Sequence, residues 1–496
     1  MNRLWLWLTI LAISGQTLSC APLDKLRLAS APAFDPLQVC GPSLQAWAQP
    51  QLETVGPLPR YTVQAELDPS GDRLEGQLAA VVPNTGSAPW PDLVFRLYPN
   101  LPHYEAAMSV AQIQLDGRQV AHEFDVEGSA LRLLLPEPLD PGEEVTVTMA
   151  FSVDVPRRAE GYTLFGWEDG ILSLPGFYPA LAVHYKAAGS DVDSWATDVP
   201  PLFADVLFNP VALYDLRFSA PAALTVVASG TTLETETEQD GQKTWHIVGG
   251  PLRDMTVLVS DRWQSLSDVA AGATVTSYYL TGADAAGQAA LFHAAAALRL
   301  YSDLYGDYPY TEFDVVAAPL GVRGMEYSGL VSIGQDLYSH QRERLAFLVA
   351  HETAHQWWYV QVGNDPLAYP WLDEGPAEYA AFDYYRGIYG QTAAESLLSE
   401  RWQTPYAVAT NRGIDGPVDQ AASAMTADNY ELLTYAKAAL FFDALRGRLG
   451  DEMYTQVIRA YVETYRWQTV TPQHFLGLAQ TLSGTDLNPL AEEWLR

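Results

Sequence analysis

Between residues 60 and 265, apolar and polar positions alternate with a period of two or run apolar for four or five residues between turn signals. Tyr61-Thr-Val-Gln-Ala-Glu-Leu67, Leu131-Arg-Leu-Leu-Leu135 and Val145-Thr-Val-Thr-Met149 read as strands. Leu213–Phe218, Leu224–Ala228, Thr244–Val248 and Met255–Val259 continue the series. Pro141-Gly142, Asp240-Gly241 and Gly249-Gly250-Pro251 supply turn chemistry between them. After about residue 270 the period lengthens to that of a helix. Ala285–Tyr305, Gln341–Tyr359, Asp373–Tyr389, Thr392–Trp402, Tyr430–Leu449 and Glu452–Tyr465 read as helices, with one β patch at Glu312–Ile333. No repeat at solenoid spacing is present. The expectation is an α+β multidomain chain: an N-terminal β-sandwich-like domain over 59–265, then an α/β-helical domain over 266–496.

The first twenty residues follow a different pattern. Arg3 precedes an uncharged apolar run from Leu4 to Ile13, too short to span a bilayer and suited to a secretory signal. Cys20, preceded by Leu18-Ser19, resembles a bacterial lipoprotein cleavage site, so export with a lipid anchor at Cys20 is one expectation. A disulfide to Cys40, the other of the two cysteines, or an unpaired structural role are the alternatives. Residues 21–58, rich in Pro, Ala and Gln with weak periodicity, are expected to form a tether.

Charge narrows the partners. With 28 basic and 60 acidic residues in 496, the formal net charge is −32, and only Lys25, Lys186, Lys243 and Lys437 are lysines. Such a chain repels phosphate backbones and carries no basic cluster, which argues against nucleic acid as a partner. The acidity suits a well-solvated surface and says nothing about mechanism.

The chemistry concentrates in His351-Glu-Thr-Ala-His355, inside a predicted helix. Histidines four apart project from one helical face about a turn apart, as two ligands of one zinc ion would. Glu352 then faces the same cavity as a non-ligand, placed to take a proton from water on the metal. Leu348 shares the stripe, so that face is buried. Further on, Trp371-Leu-Asp-Glu-Gly-Pro-Ala-Glu378 opens the next helix, with Asp373 expected to cap it and Pro376 expected in its first turn. Glu374 becomes the third ligand, and Glu378, one turn later, a partner that orients a ligand histidine. The bland alternatives are two hydrogen-bonded core histidines and a glutamate that only complements a helix dipole. Trp357 and Trp358 read as core.

His351, His355 and Glu374, with eighteen residues between the second histidine and the glutamate, resemble the zinc site of the gluzincin aminopeptidases, the family of aminopeptidase N and leukotriene-A hydrolase. Gly324-Met325-Glu326-Tyr327 is similar to that family's G-x-M-E-N loop, and Tyr435-Ala-Lys437-Ala438 to its Y-x-K-G motif. Asn209–Asp215 and Val226–Gly230 resemble strands of its N-terminal domain, so the resemblance spans roughly residues 60–496. It implies a thermolysin-like catalytic domain, one zinc ion and a short form without the large C-terminal helical domain. It also implies roles: Glu326 holds the substrate's free amine, Met325 lines the pocket for the first side chain, Gly324 belongs to the substrate-binding loop, and Tyr435 stabilises the oxyanion. Arg323, Tyr327 and Ala438 depart from the family pattern. A second acidic or amide residue, which many members bring from the β domain to the amine, has no counterpart near Gly176-Phe-Tyr-Pro179.

Three whole-chain readings remain. The first is a zinc aminopeptidase at the cell surface that removes N-terminal residues from peptides with a free N-terminus. The second is an open-site gluzincin endopeptidase without strict N-terminal specificity. The third is an exported binding protein with a silent site. An intact Glu352 and Tyr435 favour the first two, and an N-acetylated peptide separates them.

Overall fold

The computed structural model describes residues 34–158, 164–186, 193–237, 241–321, 323–339 and 342–496. The N-terminal signal and Cys20 therefore lie outside the described residues. Among the described ones, no helix is long and apolar enough to cross a membrane.

Every expected strand of the first half is a strand. Arg60–Leu67 shows strict alternation of half-buried and buried positions, as its sequence pattern requires. It pairs antiparallel with Arg73–Pro83 and parallel with Ala212–Pro221, near the middle of an eight-stranded sheet. Two four-stranded sheets, one built around Trp90–Arg96 and Ala130–Leu139, the other around Val257–Ser260 and Ile171–Leu174, and a two-stranded pair of His184–Tyr185 with Ser194–Trp195 complete the described part of this half. The result is a multi-sheet β domain.

The second half starts with a mixed five-stranded sheet in the order Trp263–Ala270, Ala273–Leu280, Glu312–Ala318, Leu330–Gly334, Gly324–Tyr327. Gly324–Tyr327 is its edge strand, antiparallel to Leu330–Gly334. Helices make up most of the rest, with one parallel pair of short strands, Val362–Asn364 and Gln468–Val470. Asp284–Tyr305, Arg342–Ala354, Trp371–Tyr389 and Asp451–Tyr465 fall close to their expected places. Pro472–Ser483 and Asn488–Trp494 form two further helices that the periodicity reading did not assign.

Residues 34–58 are not the free tether expected. Pro36–Cys40 is a helix capped by Asp35, and Cys40, Leu44, Ala48 and Leu52 are buried in the main core. Gln45 Nε2 lies 2.8 Å from the carbonyl oxygens of both Ala271 and Tyr308, tying this segment to the second half. The apolar positions are four residues apart, a helical spacing hidden among prolines. Among the described residues Cys40 has no disulfide partner, and burial pushes its thiol pKa up to about 12, consistent with a small core residue.

The histidine helix ends at Ala354 rather than Tyr359. Tyr359 takes a φ of 122°, which no right-handed helix allows, and the chain turns so that Trp357 and Trp358 both enter the core. The glutamate helix begins two residues earlier than expected, at Trp371, so Asp373 and Pro376 are inside it. Asp373 Oδ1 still accepts the Glu374 N–H at 2.9 Å, now within the first turn. Where the helix passes Ala438–Leu449 it does so closely: a Cβ on Gly375 would come 2.9 Å from the Ala438 Cβ.

The two halves meet around Asp254. Its Oδ2 accepts the Ser328 N–H at 2.9 Å, the Ser328 hydroxyl at 2.8 Å and the Tyr359 hydroxyl at 3.0 Å. Its Oδ1 accepts the hydroxyls of Ser229 and Thr256 at 3.2 and 2.9 Å. One buried carboxylate thereby joins the β half to the turn after Gly324–Tyr327 and to the chain leaving the histidine helix.

Candidate metal centre

The histidine and glutamate helices are held side by side by Tyr301, whose buried hydroxyl lies 3.2 Å from the Ala350 carbonyl and 3.1 Å from that of Ala380. This packing brings His351, His355 and Glu374 together. His351 Nε2 lies 3.2 Å from His355 Nε2 and 3.2 Å from Glu374 Oε2, and the third edge of the triangle is 3.4 Å. A tetrahedral ion with bonds of about 2.0–2.1 Å sets its ligands about 3.3 Å apart, so two imidazoles and a carboxylate here fit zinc. Glu374 Oε2 is buried and, among the described residues, faces the two imidazole Nε2 atoms, as an atom reserved for a shared cation should.

Each donor is aimed by a further contact. His355 Nδ1 donates to the Trp358 carbonyl at 2.9 Å, which leaves Nε2 to face the triangle. His351 Nδ1 sits 3.1 Å from Glu378 Oε2. Glu378 is fixed in turn by the Trp402 indole N–H at 2.8 Å and by the Arg401 guanidinium. Arg401 and Trp402 lie on a π-helical stretch, Leu398–Gln403, whose wider turn interrupts the ordinary helical register.

A second π-helical stretch, Glu431–Lys437, carries Tyr435. Its hydroxyl donates to Glu374 Oε1 at 2.8 Å, while Lys437 turns away to Asp415 at 2.8 Å and the Gly416 carbonyl at 2.7 Å. Glu352 faces the same space against the edge strand. A Cβ on Gly324 would fall 1.8 Å from Glu352 Oε1, so only glycine leaves that carboxylate its position. Glu326 stands on the same strand, one ligand atom of it within 4.8 Å of His355 and Glu352. Met325 is half-buried and lines the cavity. His351, Glu352, Glu374, Tyr435, Gly324, Met325 and Glu326 line one cavity of about 1000 Å³.

The electrostatics are those of a site built for a cation. Burial alone would raise Glu374, but the His355 charge and the hydrogen bonds to His351 and His355 hold it well below the usual range. Burial works to lower His351, and its bonds to Glu374 and Glu378 drive it well above the ordinary histidine value. For Glu378 the Arg401 charge and the His351 bond outweigh burial and bring it to about 2. Glu352 is pushed up to about 7 by burial, against the pull of the two histidines. A divalent cation in the triangle adds a further pull downward.

Asp205 was missed by sequence reasoning. It lies in an irregular segment of the β half, lines the cavity, and is raised to about 7 by burial and then by the Glu374 charge. The Tyr98 hydroxyl, 3.0 Å from Asn209 Oδ1, pins that segment at one side, and Phe203 packs on Tyr430 with ring centroids 5.2 Å apart. Asp205 brings a β-half carboxylate to the cavity some thirty residues after Gly176–Pro179, from a stretch with no periodicity to mark it. Arg401 and Trp402 were missed as well.

An edge strand, a two-histidine helix and a glutamate helix around one cation-seeking triangle define a gluzincin-type metal centre. Residues 289–494 match the peptidase family M1 domain. Among known relatives, Aminopeptidase M1-B of Oryza sativa is 26% identical over 416 residues, 76% of this chain and 45% of the relative. Aminopeptidase M1 of Arabidopsis thaliana is 26% identical over 45% of this chain and 27% of its own length. The chain thus spans less than half of these relatives. An M1 zinc metallopeptidase from Deinococcus radiodurans has the same fold, with a TM-score of 0.67 at 22% identity over 92% of this chain and 94% of that one. A variant of the Deinococcus protein was solved bound to a Tyr-Ser-Ala substrate.

Proposed function

We propose that the protein is a zinc aminopeptidase that removes residues from the free N-terminus of peptides. The observation that carries this reading is a pair of carboxylates beside the metal triangle. Glu326 on the edge strand and Asp205 from the β half both line the cavity, both are raised by burial, and neither has a Lys or Arg partner among the described residues. A substrate ammonium supplies the positive charge that this corner lacks, and so fixes which peptide bond lies over the metal.

His351, His355 and Glu374 would hold the zinc, which would supply a Lewis acid to acidify water and polarise the scissile carbonyl. Glu352 receives the proton of the attacking water and delivers it to the departing amine; its placement against Gly324 keeps the carboxylate pointed at the reacting atoms. Tyr435 turns its hydroxyl from Glu374 Oε1 to the oxygen on which negative charge develops. Glu378 keeps the His351 ring in its plane, with Arg401 and Trp402 behind it. Met325 borders the space for the first side chain. The relatives, named as aminopeptidases, support the reading.

The test is hydrolysis of aminoacyl-anilides and matched N-acetyl peptides by the purified protein and by Glu352→Gln. Cleavage of free-amine substrates only, lost in the variant and on chelation, is the expected result. Cleavage of blocked peptides would instead identify the open-site endopeptidase. Silence on all substrates with zinc still bound would identify the binding protein. The N-terminal segment supports export with a lipid on Cys20, which mass spectrometry of the mature N-terminus checks.

A further inference from the structure

The cavity wall carries three arginines, Arg323, Arg344 and Arg401. Arg401 is committed to Glu378. Arg323 and Arg344 have no carboxylate partner among the described residues, in a chain with 60 acidic residues to offer. Arg323 is half-buried and Arg344 exposed, so both guanidinium groups are open to a ligand on the wall of a cavity whose other charged groups are mostly acidic.

Arg323 is also held in an unfavourable backbone conformation. Its φ is 76°, the left-handed region that glycine enters freely and an arginine does not. Its carbonyl accepts the Gly334 N–H at 2.7 Å, which fixes the backbone and leaves the side chain to the cavity. Strain of this kind persists where the side chain has a use that glycine cannot serve.

The edge strand sets the spacing. Gly324–Tyr327 is paired on one side only. A peptide laid antiparallel along its free edge, with its ammonium at Glu326, runs past Gly324 toward Arg323. At about 3.3 Å per residue, the three steps from Glu326 to Arg323 cover roughly 10 Å, the length of a tripeptide.

Resting on the aminopeptidase reading, we propose that Arg323 and Arg344 form a carboxylate-binding rim. It receives a substrate carboxylate carried about three residues from the ammonium, and so favours short peptides whose C-terminus is free.

The experiment compares Leu-Ala-Ala, Leu-Ala-Ala-amide and Leu-Ala-Glu-amide on the zinc-loaded full chain, with leucyl-anilide as the reference substrate. The expected kcat/KM for the free acid is about 10- to 100-fold above that for the amide, carried by KM. In the double variant Arg323→Gly/Arg344→Ala that ratio falls to near one. Arg323→Gly relieves the left-handed φ, so melting no lower than wild type is expected of that single variant, and it tests the rim by itself with a partial fall of the ratio. A rate on the Glu-amide equal to that on the free acid identifies a side-chain carboxylate as the ligand; a rate equal to that on the plain amide identifies the terminus. Equal rates for acid and amide in the wild type, or a preference that survives the double variant, would overturn the rim while leaving the aminopeptidase reading intact. Failure to cleave leucyl-anilide would overturn both.

Discussion

Replacing Gly324 by alanine changes one hydrogen to a methyl group and places it against the base. The new Cβ would lie 1.8 Å from Glu352 Oε1, 2.5 Å from its Cδ and 3.0 Å from its Cγ. Restoring even a 3.0 Å contact with Oε1 requires that oxygen to move by about 1.2 Å, the difference between 3.0 and 1.8. The backbone itself tolerates alanine, since Gly324 lies in an edge strand and not in the left-handed region. The carboxylate therefore swings, and the fold remains. A misplacement of roughly 1 Å at a reacting group costs on the order of 100-fold in rate, or about 2.7 kcal/mol. Steady-state hydrolysis of leucyl-anilide should show kcat reduced by about that factor, with KM little changed. His351, His355 and Glu374 are untouched, so one zinc per chain should remain by metal analysis. A kcat within threefold of wild type would refute the argument that Gly324 sets the base, and so would activity lost only in proportion to lost metal.

Tyr435→Phe removes the hydroxyl that now lies 2.8 Å from Glu374 Oε1, and kcat should fall about 100- to 1,000-fold with zinc retained; an effect confined to KM would contradict an oxyanion role. Glu378→Gln takes the charge from behind His351, so zinc affinity measured by competition with a chelator should drop about 10- to 100-fold, and an unchanged affinity would show that the 3.1 Å contact does not hold the ring. His293, far from the site, shares a hydrogen bond with the Tyr384 hydroxyl, and burial lowers its pKa from 6.5 to about 4. Because the unfolded chain then binds the extra proton between those values, His293 opposes folding as pH falls from about 6.5 to 4, by up to about 3 kcal/mol, and has no effect above 6.5. Denaturation midpoints of His293→Gln should lose that part of the acid-side slope, and parallel pH profiles for variant and wild type would rule the mechanism out.

Periodicity marked every strand quoted from the first half, because each alternates or runs apolar between turns and the sheets need nothing more. The H-E-x-x-H spacing and the following glutamate were legible because helical geometry converts a separation of four into a shared face. Legibility ended where register or burial depended on distant residues. The two π-helical stretches that aim Arg401 and Tyr435 leave no trace in a 3.6-residue period, since the extra residue is accommodated by packing. The segment at 34–58 looked like a tether because its prolines mask four buried positions that acquire a partner only when the strands beneath them assemble. Asp205 had nothing to distinguish it from fifty-nine other acidic residues.

The sequence alone determined the succession of β half and helical half, and it set His351, Glu352 and His355 within about one turn of one helix, since each depends on spacing within one element. Tertiary structure decided what surrounds them. It sets a β-half carboxylate at the metal corner, an edge-strand glycine against Glu352 and, along the cavity wall, two arginines with no carboxylate partner among the described residues. The carboxylate Asp205 is more than a hundred positions from Glu374 and reaches it only by the packing of one half against the other, while the glycine and the arginines depend on how a strand and a helix of the second half lie together.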